Sequence, residues 1–122
     1  MMAVTHDEFT DYVVELMSTW VPVNARKMFG GYGLFREGVM FALIAGEQLY
    51  FKGDALNAMQ FEAEGSCPFF YTSQGRAVRM SYWSAPAESL ESPAAMREWC
   101  QSAYAAALRS HAAKKAKVRK GE

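Results

Sequence analysis

The sequence of 122 residues contains few of the side chains that build metal sites, redox sites and catalytic triads. Its two cysteines and two histidines are Cys67, Cys100, His6 and His111, and no Cys-x-x-Cys pair is present. This scarcity argues against zinc, because a structural zinc site takes four cysteine or histidine ligands at close spacing. The spacing of the remaining side chains also does not identify a catalytic nucleophile paired with a base. We therefore expect no metal, no cofactor and no catalytic residues.

Long apolar runs are also absent from the chain. No stretch approaches the ~18 residues that a membrane span requires, and the N-terminal segment is polar and acidic, unlike a signal peptide. Hydrophobic residues nevertheless make up 51% of the chain and aromatic residues 14%, enough for one domain to bury a core. We expect a single-domain cytoplasmic protein that does not contact a membrane.

Charge is balanced over the whole chain but unevenly distributed along it. Residues 1–108 carry seven basic and twelve acidic side chains, a net charge of −5, whereas residues 109–122 carry six basic and one acidic side chain, a net charge of +5. We predict a folded domain at 1–111 and a basic, flexible tail at 112–122. The cations of the tail indicate either nucleic-acid contact or a solvated helix end. They are Lys114, Lys115, Lys117, Arg119 and Lys120.

Apolar spacing predicts three helices and five strands. An amphipathic helix follows a Thr5–Glu8 capping box and covers about 6–19. A short second helix follows the third strand, and a long third helix carries an apolar stripe that ends near His111. The predicted strands cover 26–36, 39–44, 48–52, 68–72 and 77–82. Because the connections between them are short, we predict an antiparallel sheet packed by helices, an α+β domain of order α-β-β-β-α-β-β-α.

The most specific segment is the glycine-rich run at 26–35, with the sequence RKMFGGYGLF. It lacks the spacing of a dinucleotide-binding or phosphate-binding loop, and it enters a strand, whereas those loops open a helix. Glycines in such a strand indicate close backbone approach, a bulge or a positive φ. We predict that its signature residues serve the fold. They are Met28, Phe29, Gly30, Gly31 and Gly33.

Basic and aromatic residues on the predicted strands suggest a surface for a protein partner. The chain has more strand aromatics than one buried sheet face accommodates, and a surplus of exposed rings suits partner binding or dimerisation. The structural alternatives are surface ion pairs for the cations and core packing for the rings. The predicted surface consists of Arg26, Lys27, Tyr32, Arg79 and Trp83.

Several segments together resemble the TfoX (Sxy) N-terminal domain family, over roughly residues 10–110. They are the glycine-rich run, Phe41–Ile44, Leu49–Lys52, Phe70-Tyr71 and Met80–Trp83 followed by Pro86. The resemblance implies an α+β fold similar to secretion chaperones, α-β(3)-α-β(2)-α, and is compatible with a homodimer. It identifies the chain as a stand-alone N-terminal domain, with the basic tail where full-length members continue into a helical domain.

The resemblance also implies a function. Full-length members of the family regulate natural competence genes in bacteria, acting with the cyclic-AMP receptor protein at promoters, and are not known as enzymes. The leading hypothesis is therefore a non-enzymatic bacterial regulatory or adaptor protein that binds another protein. One alternative is direct nucleic-acid binding through the basic tail and the strand arginines. The other is a small-molecule-binding domain or enzyme with an aromatic pocket.

Overall fold

The computed structural model of the protein describes residues 8–28 and 30–121, and the side chains of 116–121 lie outside the description. The elements in chain order are α1 (Glu8–Met17), β1 (Asn24–Met28), β2 (Gly31–Arg36), β3 (Val39–Ala45), β4 (Gln48–Lys52), α2 (Ala58–Ala63), β5 (Pro68–Ser73), β6 (Arg76–Ser84), a 3-10 helix (Ala87–Leu90) and α3 (Pro93–Gly121). The strands form one antiparallel sheet in the order β1-β2-β3-β4-β6-β5. The predicted α+β class is confirmed.

The segment predicted as one strand at 26–36 is two strands in the structure, so the sheet has six strands where five were predicted. The chain reverses after Met28, which pairs with Gly31 across the β1–β2 hairpin. Gly30 lies in this reversal with a φ of +77°, a left-handed conformation that glycine adopts without a steric penalty. Two residues with predicted roles, Phe29 as a signature residue and Thr5 as a helix cap, lie outside the described residues.

The core lies between one face of the sheet and the helices. Strand register places Ala42 opposite Phe51, and Ile44 opposite Leu49, on the face that α3 covers. Phe61 of α2 is fully buried, and the centre of its ring lies 5.1 Å from the centre of the Trp99 ring. The largest fully buried hydrophobic side chains of the described residues are Phe41, Phe51, Phe61, Met17, Leu34, Ile44, Leu49, Met96, Val13 and Cys100.

The buried stripe of α3 ends at Ala107, one turn before the predicted end at His111. Leu108 is 43% exposed and His111 is exposed. The physical reason is length: α3 has 29 residues and spans about 44 Å, whereas β3, the longer of the two strands it packs on, has 7 residues and spans about 23 Å. The C-terminal end of α3 therefore extends beyond the strands on which the helix packs.

The helical backbone of α3 continues through residues 112–121. The predicted division between a domain and a flexible tail at residue 111 stays a prediction. None of the helices among the described residues combines the length and the apolar character that crossing a bilayer requires.

Candidate functional site

The strands β5 and β6 form an arm that extends past the rest of the sheet. β4 pairs with β6 only from Ser84 to Tyr82, and one further hydrogen bond runs from the Gly53 amide to the Ser81 carbonyl. Among the described residues, 70–79 pair in the sheet only with each other, and all ten are exposed. We call residues 70–79 the β5–β6 arm.

Local sequence explains why the arm forms. Its two strands reverse at Gln74-Gly75, as predicted, and both residues have positive φ, 52° and 77°. Two-residue turns of this kind match the twist of the strands they join, so Phe70 and Arg79 stand opposite each other in register. An isolated two-stranded hairpin is only marginally stable in water. The arm therefore depends on its base in the sheet.

The surface of the β5–β6 arm is both apolar and cationic. Phe70 is 53% exposed and Val78 46% exposed, and Tyr71 is also exposed. Residues 66–84 contain two basic side chains, Arg76 and Arg79, and no acidic one. Strand register puts Tyr71 and Val78 on one face of the arm and Phe70 with Arg79 on the other, so each face presents an exposed apolar side chain to a possible protein partner.

Two predicted surface residues, Arg79 and Trp83, meet at the base of the arm. The Arg79 guanidinium carbon lies 5.4 Å from the centre of the Trp83 ring, a cation–π distance. Trp83 is only 8% exposed, and its ring stacks on Phe61 with the planes 3° apart. Gly53 lies against the indole, since a Cβ there would be 2.6 Å from the ring nitrogen. Trp83 is thus a core residue that only borders the surface.

The other three predicted residues lie at the opposite edge of the sheet. Arg26 and Lys27 are exposed on β1, and the Arg26 guanidinium carbon lies 4.8 Å from the centre of the Phe35 ring. Tyr32 is half-buried on β2, opposite Lys27. Four strand spacings separate β1 from β6, about 19 Å. The structure therefore does not bring the five predicted residues onto one patch.

The predicted nucleic-acid residues lie on the far part of α3. Lys114 and Lys115 are exposed, whereas the side chains of Lys117, Arg119 and Lys120 lie outside the described part of the chain. Lys114 lines a pocket of about 310 Å³ together with Lys52 of β4. Sequence reasoning missed Lys52 because no local pattern links the end of a strand to a helix 62 residues later.

Few titratable groups are perturbed in the described residues. Hydrogen bonds from Arg109 hold the pKa of Asp54 below its usual value of 3.8, and burial raises the pKa of Tyr82 to about 12. Burial, followed by the nearby Lys114 charge, lowers the pKa of Lys52. Within the described residues, no three histidine, cysteine or carboxylate side chains are grouped as metal ligands.

Comparison with known proteins places this fold in a family. The TfoX N-terminal domain family matches residues 15–107. The chain belongs to this family. The match covers both edges of the sheet and stops at Ala107, the residue where the buried stripe of α3 also ends. Lys114 and Lys115 therefore lie outside the residues that match the TfoX N-terminal domain family.

Two relatives of the TfoX N-terminal domain carry names that refer to DNA transformation. DNA transformation protein TfoX1 of Aliivibrio fischeri is 31% identical over 80 residues, which are 66% of this chain and 38% of the relative. DNA transformation protein TfoX of Haemophilus influenzae is 31% identical over 86 residues, which are 69% of this chain and 40% of the relative. The matched part of the chain thus spans about two fifths of the length of these relatives.

Proposed function

We propose that this chain is a non-enzymatic bacterial regulatory adaptor that acts in the cytoplasm by binding another protein, in a process linked to DNA transformation and its transcriptional control. Membership of the TfoX N-terminal domain family and the names of the two relatives support the process. The β5–β6 arm supports the mode of action, and it is the observation that carries the proposal.

The arm offers a partner three kinds of interaction at once. Strand register puts Phe70 and Val78 on opposite faces of the arm, so a partner on one face covers one of them. Covering the exposed part of Phe70 removes on the order of 110 Å² of apolar surface from water, worth about 3 kcal/mol. Among the described strands β5 is at an edge of the sheet, so a strand of the partner can pair with it. Arg76 and Arg79 favour acidic side chains beside that strand. Because association costs several kcal/mol in lost freedom, all three are needed for a stable complex.

A pull-down from native lysate with three proteins tests this role. The arm variant carries Phe70→Ser and Val78→Thr, and the matched control carries Leu56→Ser and Met59→Ser. The control residues are 72% and 77% exposed, so both variants remove surface apolar groups and leave the core intact. We expect the same protein to be retained by wild type and control and lost by the arm variant, with or without nuclease.

The outcomes of the pull-down separate the candidate functions. Retention of the partner by the arm variant would contradict the proposed surface, and the same assay on Arg26→Ala plus Lys27→Ala then tests the β1 edge. Recovery that requires intact nucleic acid would favour direct nucleic-acid binding. α3 continues as a helix past residue 111 and exposes Lys114 and Lys115. This observation favours direct nucleic-acid binding as the second candidate function. A partner that proves to be a second copy would make the adaptor a homodimer.

A further inference from the structure

A pocket lined by two lysines lies between the sheet and the C-terminal part of α3, and the proposed adaptor function does not involve it. Its volume is about 310 Å³. The strands contribute Lys52 and Tyr82 with apolar neighbours, and α3 contributes Ser110, His111 and Lys114. We call this space the Lys52 pocket. It lies apart from the β5–β6 arm, since none of its lining residues falls within 70–79.

Lys52 is held in place at the wall of the pocket. Its ammonium group donates a hydrogen bond to the Ser81 hydroxyl and lies 5.3 Å from the centre of the Tyr82 ring. The side chain is only partly exposed, and its pKa is lowered first by burial and then by the charge of Lys114. Lys52 and Lys114 thus place two positive charges in the lining of one pocket.

Protein carboxylates do not neutralise these charges within the pocket. Among the described residues that line it, none is an aspartate or glutamate. Asp54 attracts Lys52, but its two oxygens accept hydrogen bonds of 2.6 and 3.0 Å from Arg109. The pocket therefore keeps a net positive charge, a condition that an anionic ligand would relieve.

We propose that the Lys52 pocket binds a small phosphomonoester, with Lys52 and Lys114 contacting its phosphate. A phosphomonoester carries a charge of about −1.5 to −2 at pH 7 and so matches two lysines. The apolar neighbours Phe35 and Met40 and the ring of Tyr82 line the same space and accept an organic part. The volume lies at the lower end of ligand pockets, which start near ~300 Å³, so the ligand has about the size of a mononucleotide.

Titration of the full chain by two-dimensional amide NMR tests the proposal with defined probes. The probes are inorganic phosphate, adenosine 5′-monophosphate, adenosine as its uncharged match, and a single-stranded oligonucleotide of about 20 nucleotides. We expect saturable shifts at Lys52, Ser110 and His111 with the monophosphate, weaker shifts with inorganic phosphate, and none with adenosine.

Charge-removing variants show whether the binding is local. We expect Lys52→Met and Lys114→Met each to weaken monophosphate binding at least about tenfold, and Lys115→Met, next to Lys114 but outside the lining, to change it less than about twofold. Lys114 is exposed, so its variant tests the pocket even if Lys52→Met unfolds the chain.

Three results would overturn the proposal. They are the absence of saturable shifts up to about 10 mM monophosphate, an equal loss of binding in Lys115→Met, and tighter binding of the oligonucleotide that Lys115→Met weakens as much as Lys114→Met. The last two would show diffuse attraction of nucleic acid along α3. None of these results bears on the β5–β6 arm, so failure here leaves the adaptor proposal standing.

Discussion

Replacing Gly31 with alanine tests how closely β2 lies against β3. Gly31 is buried, and a Cβ atom on it would overlap the carbonyl oxygen of Ile44. That Cβ would also lie 3.1 Å from the carbonyl carbon of Ile44 and 3.3 Å from the Cα of Ala45. All three atoms belong to the backbone, so no side-chain rotation relieves the overlap.

The expected cost follows from moving two paired strands apart. Non-bonded carbon atoms prefer separations of about 3.5–4.0 Å, so the start of β2 has to move by roughly 1 Å. Overpacking of this kind costs ~1–3 kcal/mol, and each weakened ladder hydrogen bond adds up to about 1 kcal/mol. We expect Gly31→Ala to lower the free energy of unfolding by about 3 kcal/mol, which lowers Tm by roughly 9–15 °C for a domain of this size.

Urea unfolding followed by tryptophan fluorescence measures this loss, with Gly38→Ala as the matched control. Gly38 has a φ of +81° and open space around its Cβ position, so alanine there meets only backbone strain of about 1 kcal/mol. If the two variants lose the same stability, close approach is not what requires glycine at position 31, and the reasoning fails.

Three further predictions concern the core and the contacts of α3. Phe61→Ala should cost about 3–5 kcal/mol in urea unfolding, because the fully buried ring contacts the Trp99 ring in the core; a loss below about 1 kcal/mol would contradict this packing. Trp99→Phe should lose both core packing of the buried indole and the 3.0 Å hydrogen bond to the Glu88 carboxylate, the latter worth about 1 kcal/mol; in a Glu88→Ala background, which has no acceptor, the same substitution should cost less by about that amount. Arg109→Gln should cost about 0.5–1 kcal/mol at pH 7, since the pair is partly exposed. The lowered pKa of Asp54 means that this contribution is fully present above about pH 4 and is lost as the pH falls through that lowered pKa. The difference in unfolding free energy between wild type and Arg109→Gln should therefore shrink as the pH falls below about 4; a constant difference would refute the pairing.

Local patterns were sufficient to predict most elements of the fold. The β5–β6 hairpin was predicted from Gln74-Gly75 between two apolar runs, and the start of α3 from Pro93, because turn chemistry and helix starts depend on a few neighbouring residues. The family resemblance, carried by the glycine-rich run and the strand motifs, was confirmed by the match over residues 15–107. The sequence alone therefore determined the α+β class and the family.

The local sequence pattern did not distinguish the β1–β2 hairpin from a single strand interrupted by glycines. Gly30, Gly31 and Gly33 come close together, and each has a different environment in the structure. Gly30 takes a positive φ in the reversal, Gly31 faces the backbone of β3, and Gly33 faces the side chain of Met28. Such environments arise from long-range pairing, which a local pattern does not contain.

The candidate sites depended on the tertiary structure even more strongly. The chain reaches β5 before β6, yet β6 is the strand that pairs with β4, and this order places Arg79 four strands away from Arg26. The length of α3 brings Lys114 to Lys52 across 62 positions of sequence. The sequence determined which side chains the protein carries and which local elements they form, because those properties depend on neighbours along the chain. Only the tertiary structure decided which of those side chains meet, because strand order and helix overhang result from the packing of the whole domain.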